Sequence, residues 1–209
     1  MARNYAKKCR ICRAAGEKLF LKGERCFSAK CPISRRGAVP PGQHGTKRRR
    51  RRPSDYSVRL KETGKLKNIY GITEGELKRY FALARKVPEA TGEALLQILE
   101  SRLDNLVFRL GFSPSRRLAR QIVSHKHVLV DGKVVNIPSY RLKEDQMISL
   151  DTKVSKVLEI KKLLDNKEFV VPDWLERKAA AGRLARFPKR EEVLTDINEQ
   201  YVVEYYSRR

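Results

Sequence analysis

Apolar positions recur with a helical period through residues 54–110. Thr73 and Glu76 form a Thr-x-x-Glu capping box, and the apolar stripe behind it continues to Pro88, which cannot extend a helix. Ser54 is suited to cap an earlier helix, because its side-chain oxygen can accept a hydrogen bond from an unpaired amide of the first turn. The pattern therefore predicts one helix that begins after Ser54 and a second that runs from Thr73 through Val87 to Pro88.

A longer apolar stripe begins after Thr91. Leucines follow at steps of four, four, three and four residues: Leu95, Leu99, Leu103, Leu106 and Leu110. At this spacing all five leucines fall on one side of a helix. Gly111 follows the last of them, at the position where a left-handed cap is common. We expect a single long helix of roughly 27 Å, at about 1.5 Å per residue.

Residues 111–130 predict a short amphipathic helix and contain no acidic residue. Ser113 and Pro114 are favourable residues for its start, and it is expected to run to about Ser124. Its apolar side is formed by Leu118, Ala119, Ile122 and Val123. Its polar side carries Arg116, Arg117, Arg120, Gln121 and Ser124.

A β-hairpin follows this helix. Asp131-Gly132 separates two β-branched and apolar runs, 128–130 and 134–137, and this dipeptide is a strong signal for a two-residue hairpin turn. Three further elements are expected: a strand at 147–150, a helix capped by Ser155, and a short strand at 169–171. The closing segment 197–209 fits either a strand or a last helical turn.

The composition adds a large excess of positive charge. The 209 residues carry 47 Lys and Arg against 24 Asp and Glu, a net charge of +23, with enough hydrophobic residues (41%) for a folded core. Residues 1–52 hold 17 of these basic residues and only two acidic ones. This balance indicates an anionic partner, either nucleic acid or acidic lipid. No apolar run approaches about 18 residues, and the charged residues 1–8 do not form a secretion signal, so a reducing cytosol is expected.

Three arginines on one face of the 113–124 helix have no carboxylate partner at helical spacing. A solvated helix face would explain a single arginine, but an intrahelical Glu would have relieved the repulsion among three. A polyanionic partner is the more direct explanation, so nucleic acid is favoured over a solvated face.

All four cysteines lie near the start of the chain. Cys9 and Cys12 are spaced Cys-x2-Cys, and Cys26 and Cys31 follow as Cys-x4-Cys, which is typical of a four-thiolate metal knuckle. Two disulfides or four idle thiols are the alternatives, although a reducing compartment disfavours disulfides. Zinc is the first choice of metal, and an iron–sulfur cluster also takes four thiolates. Four protein ligands leave no open position, so the role would be structural.

Residues 32–53 are rich in Gly, Pro and Arg and contain almost no core residues, so we expect disorder in the free protein. The segment includes an uninterrupted cationic run: Lys47, Arg48, Arg49, Arg50, Arg51 and Arg52. A nuclear localisation signal or a solvated tail would explain such a run in isolation. Its position between the cysteines and a folded region favours an extension that RNA orders. His44 is expected to be a loop residue that contacts RNA or backbone.

Residues 113–140, SPSRRLARQIVSHKHVLVDGKVVNIPSY, resemble the RNA-binding domain named after the fourth small-subunit ribosomal protein. The cysteine-rich arm, GQHG, ITEGELKRYF, LESRLDNLVFRLGF, VPDWL and INEQYVVEYYSRR occur in an order that is similar to the bacterial small-subunit ribosomal protein four family over its full length. Many family members lack the four cysteines, so the resemblance is to a metal-bearing branch.

The resemblance implies an α+β fold, in which a helical domain contains an inserted RNA-binding domain with a basic helix pair and a short antiparallel sheet. The expected domains are a four-cysteine metal knuckle with a basic arm at 1–53, a helical domain at 54–100 plus 172–209, and the inserted RNA-binding domain at 101–171. Residues 55–100 are accordingly expected to pack with 172–209.

The resemblance also implies a structural constituent of the small ribosomal subunit in the cytoplasm. Such proteins bind 16S ribosomal RNA directly, nucleate assembly of the 30S body and contribute to translational accuracy. The expected partners are the 5′ domain of 16S ribosomal RNA, the fifth small-subunit protein, and neighbours of the channel through which messenger RNA enters. No membrane or small-molecule substrate is expected.

Positions that match the family motif give the expected RNA contacts: Ser113, Arg116, Arg117, Arg120, Gln121, His125, Lys126 and His127, with the arm cations 47–52. Arg and Lys would neutralise phosphates, while Ser113 and Gln121 would hydrogen-bond to phosphate or 2′-hydroxyl groups. For His125 and His127, simple packing in a loop is the alternative.

Two other classes of protein fit the sequence less well. Similar RNA-binding domains are appended to pseudouridine synthases and tyrosyl-tRNA synthetases, but we find no Gly-rich phosphate loop, Ser/His/Asp constellation or apolar carboxylate pair, and expect no enzyme. A DNA-binding zinc finger would place a recognition helix beside the metal, whereas Pro32 and a Gly-rich loop follow Cys31. The alternative function is another cytosolic binder of structured RNA, or an accessory of an RNA-modifying enzyme.

Overall fold

The computed structural model describes residues 7–45, 52–166, 169–193 and 195–207. The helices within them are α1 (Lys8–Ala15), α2 (Pro32–Arg36), α3 (Asp55–Tyr70), α4 (Glu74–Ala84), α5 (Thr91–Glu100), α6 (Leu103–Arg109), α7 (Arg116–Ser124), α8 (Thr152–Ser155), α9 (Leu158–Asp165) and α10 (Glu199–Ser207). The strands are β1 (Val128–Val130), β2 (Lys133–Val134), β3 (Met147–Leu150), β4 (Leu175–Lys178) and β5 (Ala181–Leu184). None of the described helices combines the length and apolarity needed to span a bilayer.

The chain divides into two compact units, Met1–Gly92 with Thr195–Arg209 and Glu93–Leu194. The first unit is helical, and the second combines helices with one antiparallel sheet. The expected α+β class is therefore confirmed.

Side-chain caps begin the two central helices of the first unit. The Ser54 hydroxyl accepts a hydrogen bond from the Ser57 amide at 3.3 Å, and α3 follows directly. Thr73 and Glu76 form the reciprocal capping box that begins α4. Both predicted helix starts are confirmed. The predicted extension of the second helix to Val87 is wrong, because its last turn tightens into hydrogen bonds that span three residues.

The ambiguous C-terminal segment is helix α10. Its residues Val202, Tyr205 and Tyr206 are buried. The Tyr206 hydroxyl donates to a Glu74 carboxylate oxygen at 2.8 Å, and its ring lies 5.2 Å from that of Phe81. Helix α10 therefore packs on the helical part of the first unit.

Helices α1 and α2 form an N-terminal arm that the hydrophobic pattern did not predict. Arg13 on α1 donates from Nε to the Val39 carbonyl at 2.8 Å and from a second nitrogen to the Pro40 carbonyl at 3.1 Å. Buried Lys65 on α3 pairs with Glu17 of the arm at 2.8 Å. Residues 32–45 thus have a defined backbone, which differs from the expected disorder, and residues 46–51 lie outside the described residues.

In the second unit, the predicted long helix is broken into α5 and α6. Arg102 has an extended backbone (φ −69°, ψ 138°) and forms an antiparallel bridge with Arg141. The Leu103 amide, unpaired within its own helix, donates to the Tyr140 carbonyl at 2.8 Å. The single-helix prediction is wrong because this loop supplies backbone partners at the break, while leucines on both sides of it remain buried.

The five strands form one antiparallel sheet in the order β2-β1-β3-β5-β4. The predicted hairpin turn is confirmed, with Val130 opposite Lys133 across it. The second strand was expected at 134–137 and covers only Lys133–Val134. Asp131 and Gly132 both have positive φ angles, of 49° and 77°, as a tight turn of this type requires. The strand expected at 147–150 is β3.

A second hairpin, β4–β5, is the largest departure from the sequence-based expectation. It pairs with β3 through β5, beside the fully packed Trp174, which is 1% exposed. Residues 172–193 therefore belong to the second unit, whereas we expected them to pack with 55–100. The observed units divide at 92/93 and 194/195 instead of at the predicted boundaries, 100/101 and 171/172. The strand expected at 169–171 is wrong, because the hairpin begins only at Leu175.

The helix expected after Ser155 also begins elsewhere. Asp151 caps α8 through a hydrogen bond from the Lys153 amide, and Ser155 is the last residue of that helix. A separate helix, α9, then begins at Leu158.

Candidate nucleic-acid interface

Helix α7 carries the basic face, and it begins two residues later than the sequence predicts. The Ser115 hydroxyl accepts the capping hydrogen bond from the Leu118 amide at 3.3 Å. Ser113 is 3% exposed, and its hydroxyl donates to the Ser115 carbonyl at 3.1 Å. The predicted start at Ser113 is therefore wrong. Its hydroxyl is occupied within the turn, so this structure does not present Ser113 to a ligand.

Arg116 is held against α6. Its Nε donates to Oδ1 of Asn105 at 2.7 Å, and its guanidinium carbon lies 4.5 Å from the centre of the Phe108 ring. The sequence suggested that the arginines of this face had no partner. For Arg116 that interpretation is wrong, because the partner lies on a different helix and intrahelical spacing does not reveal it.

Arg120 is similarly engaged by a carboxylate of α6. Its guanidinium lies 3.5 Å from Oδ2 of Asp104. The same carboxylate binds the fully buried Arg102 through two hydrogen bonds, of 3.0 and 2.8 Å. Asp104 thus bridges the fully buried Arg102 and the largely buried Arg120, which fixes the direction of Arg120.

A second buried carboxylate supports Asn105. Glu100 is 0% exposed and accepts two hydrogen bonds from Arg109, of 3.0 and 2.7 Å. It also accepts one from the Asn105 amide nitrogen. Asn105 therefore uses its nitrogen on Glu100 and its oxygen on Arg116. The sequence analysis missed Glu100, Asp104 and Asn105 as positioning residues. The signal that could have revealed them is the presence of charged and amide residues within the leucine stripe.

Arg117 and Gln121 remain exposed on the outer side of α7, one helical turn apart. The helix is anchored below them by buried Ala119, Ile122 and Val123. His125 and Lys126 are also exposed and follow the end of the helix, where Lys126 has a positive φ of 65°. The structure thus brings four of the expected contact residues to one exposed edge.

His127 lies beside Asp151. Its Nδ1 lies 3.7 Å from Oδ2 of Asp151, and its carbonyl accepts the Asp151 amide at 3.0 Å. The ring is still near that of His125, with centroids 6.3 Å apart. The hydrogen bond of the Asp151 carboxylate with the Lys153 amide lowers the Asp151 pKa, which keeps the partner of His127 ionised.

The arm contributes further cations. Arg35, Arg36 and Arg52 are exposed, and His44 lies exposed in the loop that follows α2. The predicted contacts 47–51 lie outside the described residues.

The four cysteines converge on one small cavity. Cys9, Cys12, Cys26 and Cys31 all line it, its volume is about 20 Å³, and none of them is in a disulfide. Cys9 is half-buried and the other three are buried. The Lys22 amide donates to Cys26 Sγ at 3.4 Å. Within the described part of the chain, no group of three or more His, Cys, Asp or Glu side chains is arranged to hold a metal ion as it stands.

The pKa values of Cys12 and Cys31 are shifted in opposite directions. Burial raises the pKa of Cys12, while hydrogen bonding from the Ser34 amide lowers the pKa of Cys31. Lys18 near Cys31 acts in the same direction as Ser34. Four cysteines with amide donors beside Cys26 and Cys31 are the donor set of a four-sulfur metal site. The residues present therefore fit a thiophilic ion in number and type.

Two family models match consecutive parts of the chain. Residues 3–100 match the ribosomal protein S4/S9 N-terminal domain, and residues 101–148 match the S4 domain. The second match contains α6, α7, β1 and β2, and therefore the basic face and the α6 residues that bind it.

Full-length relatives give the same result. The chain is 51% identical to small ribosomal subunit protein uS4 of Dictyoglomus turgidum, 47% identical to that of Thermus thermophilus and 46% identical to uS4A of Symbiobacterium thermophilum. Each comparison covers 100% of both chains.

Proposed function

The chain belongs to the uS4 family of small ribosomal subunit proteins, and from this premise we propose that it binds 16S ribosomal RNA early and nucleates assembly of the 30S body. It is a structural constituent of the small subunit with an RNA-binding role, and not an enzyme. The proposal rests on the exposed edge at α7, which consists of Arg117, Gln121, His125 and Lys126. Buried ion pairs of Glu100 and Asp104 hold the neighbouring arginines of this helix in place.

The exposed edge would act as the primary contact. Arg117 and Lys126 offer charges to phosphates, while Gln121 and His125 offer hydrogen bonds to phosphate or 2′-hydroxyl groups. All four side chains are exposed, whereas Arg116 and Arg120 already bind α6. Recognition would follow RNA shape, because phosphate and sugar contacts do not distinguish bases.

The buried carboxylates would make this edge rigid. Glu100 and Asp104 are almost fully buried, and they neutralise arginines that would otherwise repel the surface cations. Arg120 keeps part of its positive field at the surface while its direction is fixed. A preorganised surface loses less side-chain entropy on binding, so its charges contribute more to affinity.

We further infer that Cys9, Cys12, Cys26 and Cys31 hold one zinc ion, with an iron–sulfur cluster as the alternative. The convergence of all four thiols on one cavity and the amide donors at Cys26 and Cys31 support this assignment. A bound ion would neutralise the thiolates and crosslink the arm. The site would then be structural, holding α1 and α2 in place for contact with RNA.

The resemblance to the family supports more specific partners. We propose contact with the 5′ domain of 16S ribosomal RNA and with the fifth small-subunit protein, near the channel through which messenger RNA enters. That location would account for a contribution to translational accuracy.

Reconstitution of small subunits from purified components tests the assembly role. Omission of this protein is expected to leave the body of the subunit incomplete, with later-binding body proteins absent, and its addition at the start is expected to restore them. If particles assembled without it contain the same proteins at the same rate, the nucleating role is refuted.

A further inference from the structure

Two phenylalanines of the arm are stacked in an exposed position. The rings of Phe20 and Phe27 have centroids 5.0 Å apart and an interplanar angle of 28°. Phe20 is 45% exposed and Phe27 is 76% exposed. Large apolar rings are normally removed from water, so a stacked pair at the surface indicates a partner.

Neighbouring residues hold both rings in place. Phe27 directly follows buried Cys26, and its amide donates to the Glu24 carbonyl at 3.0 Å. Phe20 directly follows buried Leu19 and has a positive φ of 49°, an unfavourable conformation for a residue with a side chain. The ring of Phe20 also borders the cavity of the four thiols. The pair therefore lies next to buried residues and to the cavity of the four thiols.

The charges around the pair favour a polyanion. Lys22, Arg25 and Lys30 are exposed close by in the sequence, and Glu24 is the only acidic residue between Lys18 and Arg36. An apolar protein partner would not require this excess of cations. An RNA strand combines flat bases with phosphates, so it matches both features.

We propose that Phe20 and Phe27 form a stacking platform for one unpaired base of ribosomal RNA. Phe27 provides the outer face against which the base stacks, and Phe20 supports it from behind. The base is unpaired because paired bases are already stacked inside a duplex and do not present a free face. This site deepens the proposed function and rests on it, and it is separate in sequence from the exposed edge of α7.

The test compares three substitutions of Phe27 for affinity to a 5′-domain fragment of 16S ribosomal RNA over a salt series. Phe27→Ala and Phe27→Leu are expected to weaken binding by roughly tenfold at every salt concentration, as for loss of one stacked base. The slope of log affinity against log salt is expected to stay at the wild-type value, because no charge is removed. Phe27→Trp is expected to retain affinity, since indole also stacks, and its fluorescence should be quenched when RNA binds.

Two controls separate stacking from folding. Leu158→Ala, at an apolar side chain that is 68% exposed on α9, is expected to leave affinity unchanged. Reactivity of the four cysteines with a thiol reagent in the free protein is expected to match the wild type in every Phe27 variant, which shows that the arm is intact.

The outcomes distinguish the platform from the proposed function. If the wild type prefers the ribosomal fragment to unrelated RNA but Phe27→Leu binds as tightly as the wild type, the platform is refuted and the proposed function stands. The same conclusion follows if Phe27→Trp loses affinity or shows no quenching. If the wild type itself has no preference for the ribosomal fragment, the proposed function fails, and the platform fails with it.

Discussion

Arg116 donates from Nε to Oδ1 of Asn105 at 2.7 Å, and this hydrogen bond fixes a cation of the basic helix to the neighbouring helix α6. The other end of the Asn105 amide donates to the buried carboxylate of Glu100. A surface arginine is thus connected to a buried acid through one amide side chain. The helix face contains two kinds of arginine: Arg116 and Arg120 orient the surface, and Arg117 is exposed to a ligand.

Arg117→Ala is expected to weaken RNA binding without loss of stability. Removal of one phosphate contact should reduce the slope of log affinity against log salt by about 1. Because Arg117 is exposed, the free energy of unfolding should change by less than about 0.5 kcal/mol. Filter binding across a salt series and urea denaturation measure the two quantities.

The matched control is Arg116→Ala on the same helix. This variant loses the hydrogen bond to Asn105 and the contact with the Phe108 ring, so its free energy of unfolding should fall by about 1–3 kcal/mol. If Arg116→Ala and Arg117→Ala lose the same stability, the assignment of Arg116 as bound to α6 and of Arg117 as free for a ligand is incorrect.

Glu100→Leu is expected to destabilise the second unit by about 3–5 kcal/mol, because it leaves the largely buried guanidinium of Arg109 without its counter-charge. The double variant Glu100→Leu, Arg109→Met should recover most of this loss, since no unpaired charge remains. Urea denaturation of both single variants and the double variant completes the cycle. If the stability loss of the double variant equals the sum of the losses of the two single variants, Glu100 and Arg109 do not compensate each other's charge.

Removal of a bound metal is expected to unfold the N-terminal arm, residues 7–45, and to leave the rest of the protein folded. Chelation, Cys9→Ser or Cys31→Ser should unfold residues 7–45, because this segment has a small core, while α3 and the later helices remain folded. Limited proteolysis followed by mass spectrometry would locate the new cleavage sites. Cys→Ser is matched by Ala29→Ser at an exposed position in the same segment, which should leave protease resistance unchanged. An arm that stays resistant after complete chelation would refute a structural metal.

The Arg186–Glu192 ion pair predicts a defined response to acid. Hydrogen bonds from Arg186 lower the pKa of Glu192 from its ordinary value of 4.5 to about 2. A group with a lowered pKa in the folded state stabilises the protein above its unfolded pKa, and this contribution disappears as the pH falls through the folded pKa. The stability difference between the wild type and Glu192→Gln should therefore be largest above pH 4.5 and decline toward pH 2.

Thermal unfolding of both proteins at pH 6, 4, 3 and 2 measures this dependence. Both groups are partly exposed, so high salt should reduce the difference. A difference that is constant over the whole pH range would contradict the assignment.

Sequence motifs of a few residues correctly predicted the helix starts and the hairpin turn. The capping box at Thr73, the cap at Ser54 and the Asp131-Gly132 turn all satisfy their own backbone groups within a few residues. The helical period of residues 113–124 likewise predicted which helix carries the basic face. These features depend on neighbours in sequence, so the sequence alone was sufficient for them.

Tertiary partners determined what the sequence did not predict. The leucine stripe continues across the break at Arg102 because the 138–142 loop supplies the missing backbone partners. The β4–β5 hairpin contains charged residues, Ala and Gly instead of a β-branched run, and pairing with β3 determines its structure. The acid partner of Arg120 is sixteen residues away on another helix. Intrahelical spacing cannot reveal partners of this kind.

The central claim is that the fixed cationic surface recognises ribosomal RNA by shape and not by charge alone. The most direct test measures binding of the purified protein to the 5′ domain of 16S ribosomal RNA, to an unrelated structured RNA and to duplex DNA, across a salt series. Non-specific attraction by about eight cations should fall by roughly 10³-fold or more between about 50 and 200 mM salt for all three ligands. Tight binding to the ribosomal fragment that persists at the higher salt, while the other two ligands dissociate, is the predicted result. Parallel loss of all three would contradict the claim and leave a general cationic binder.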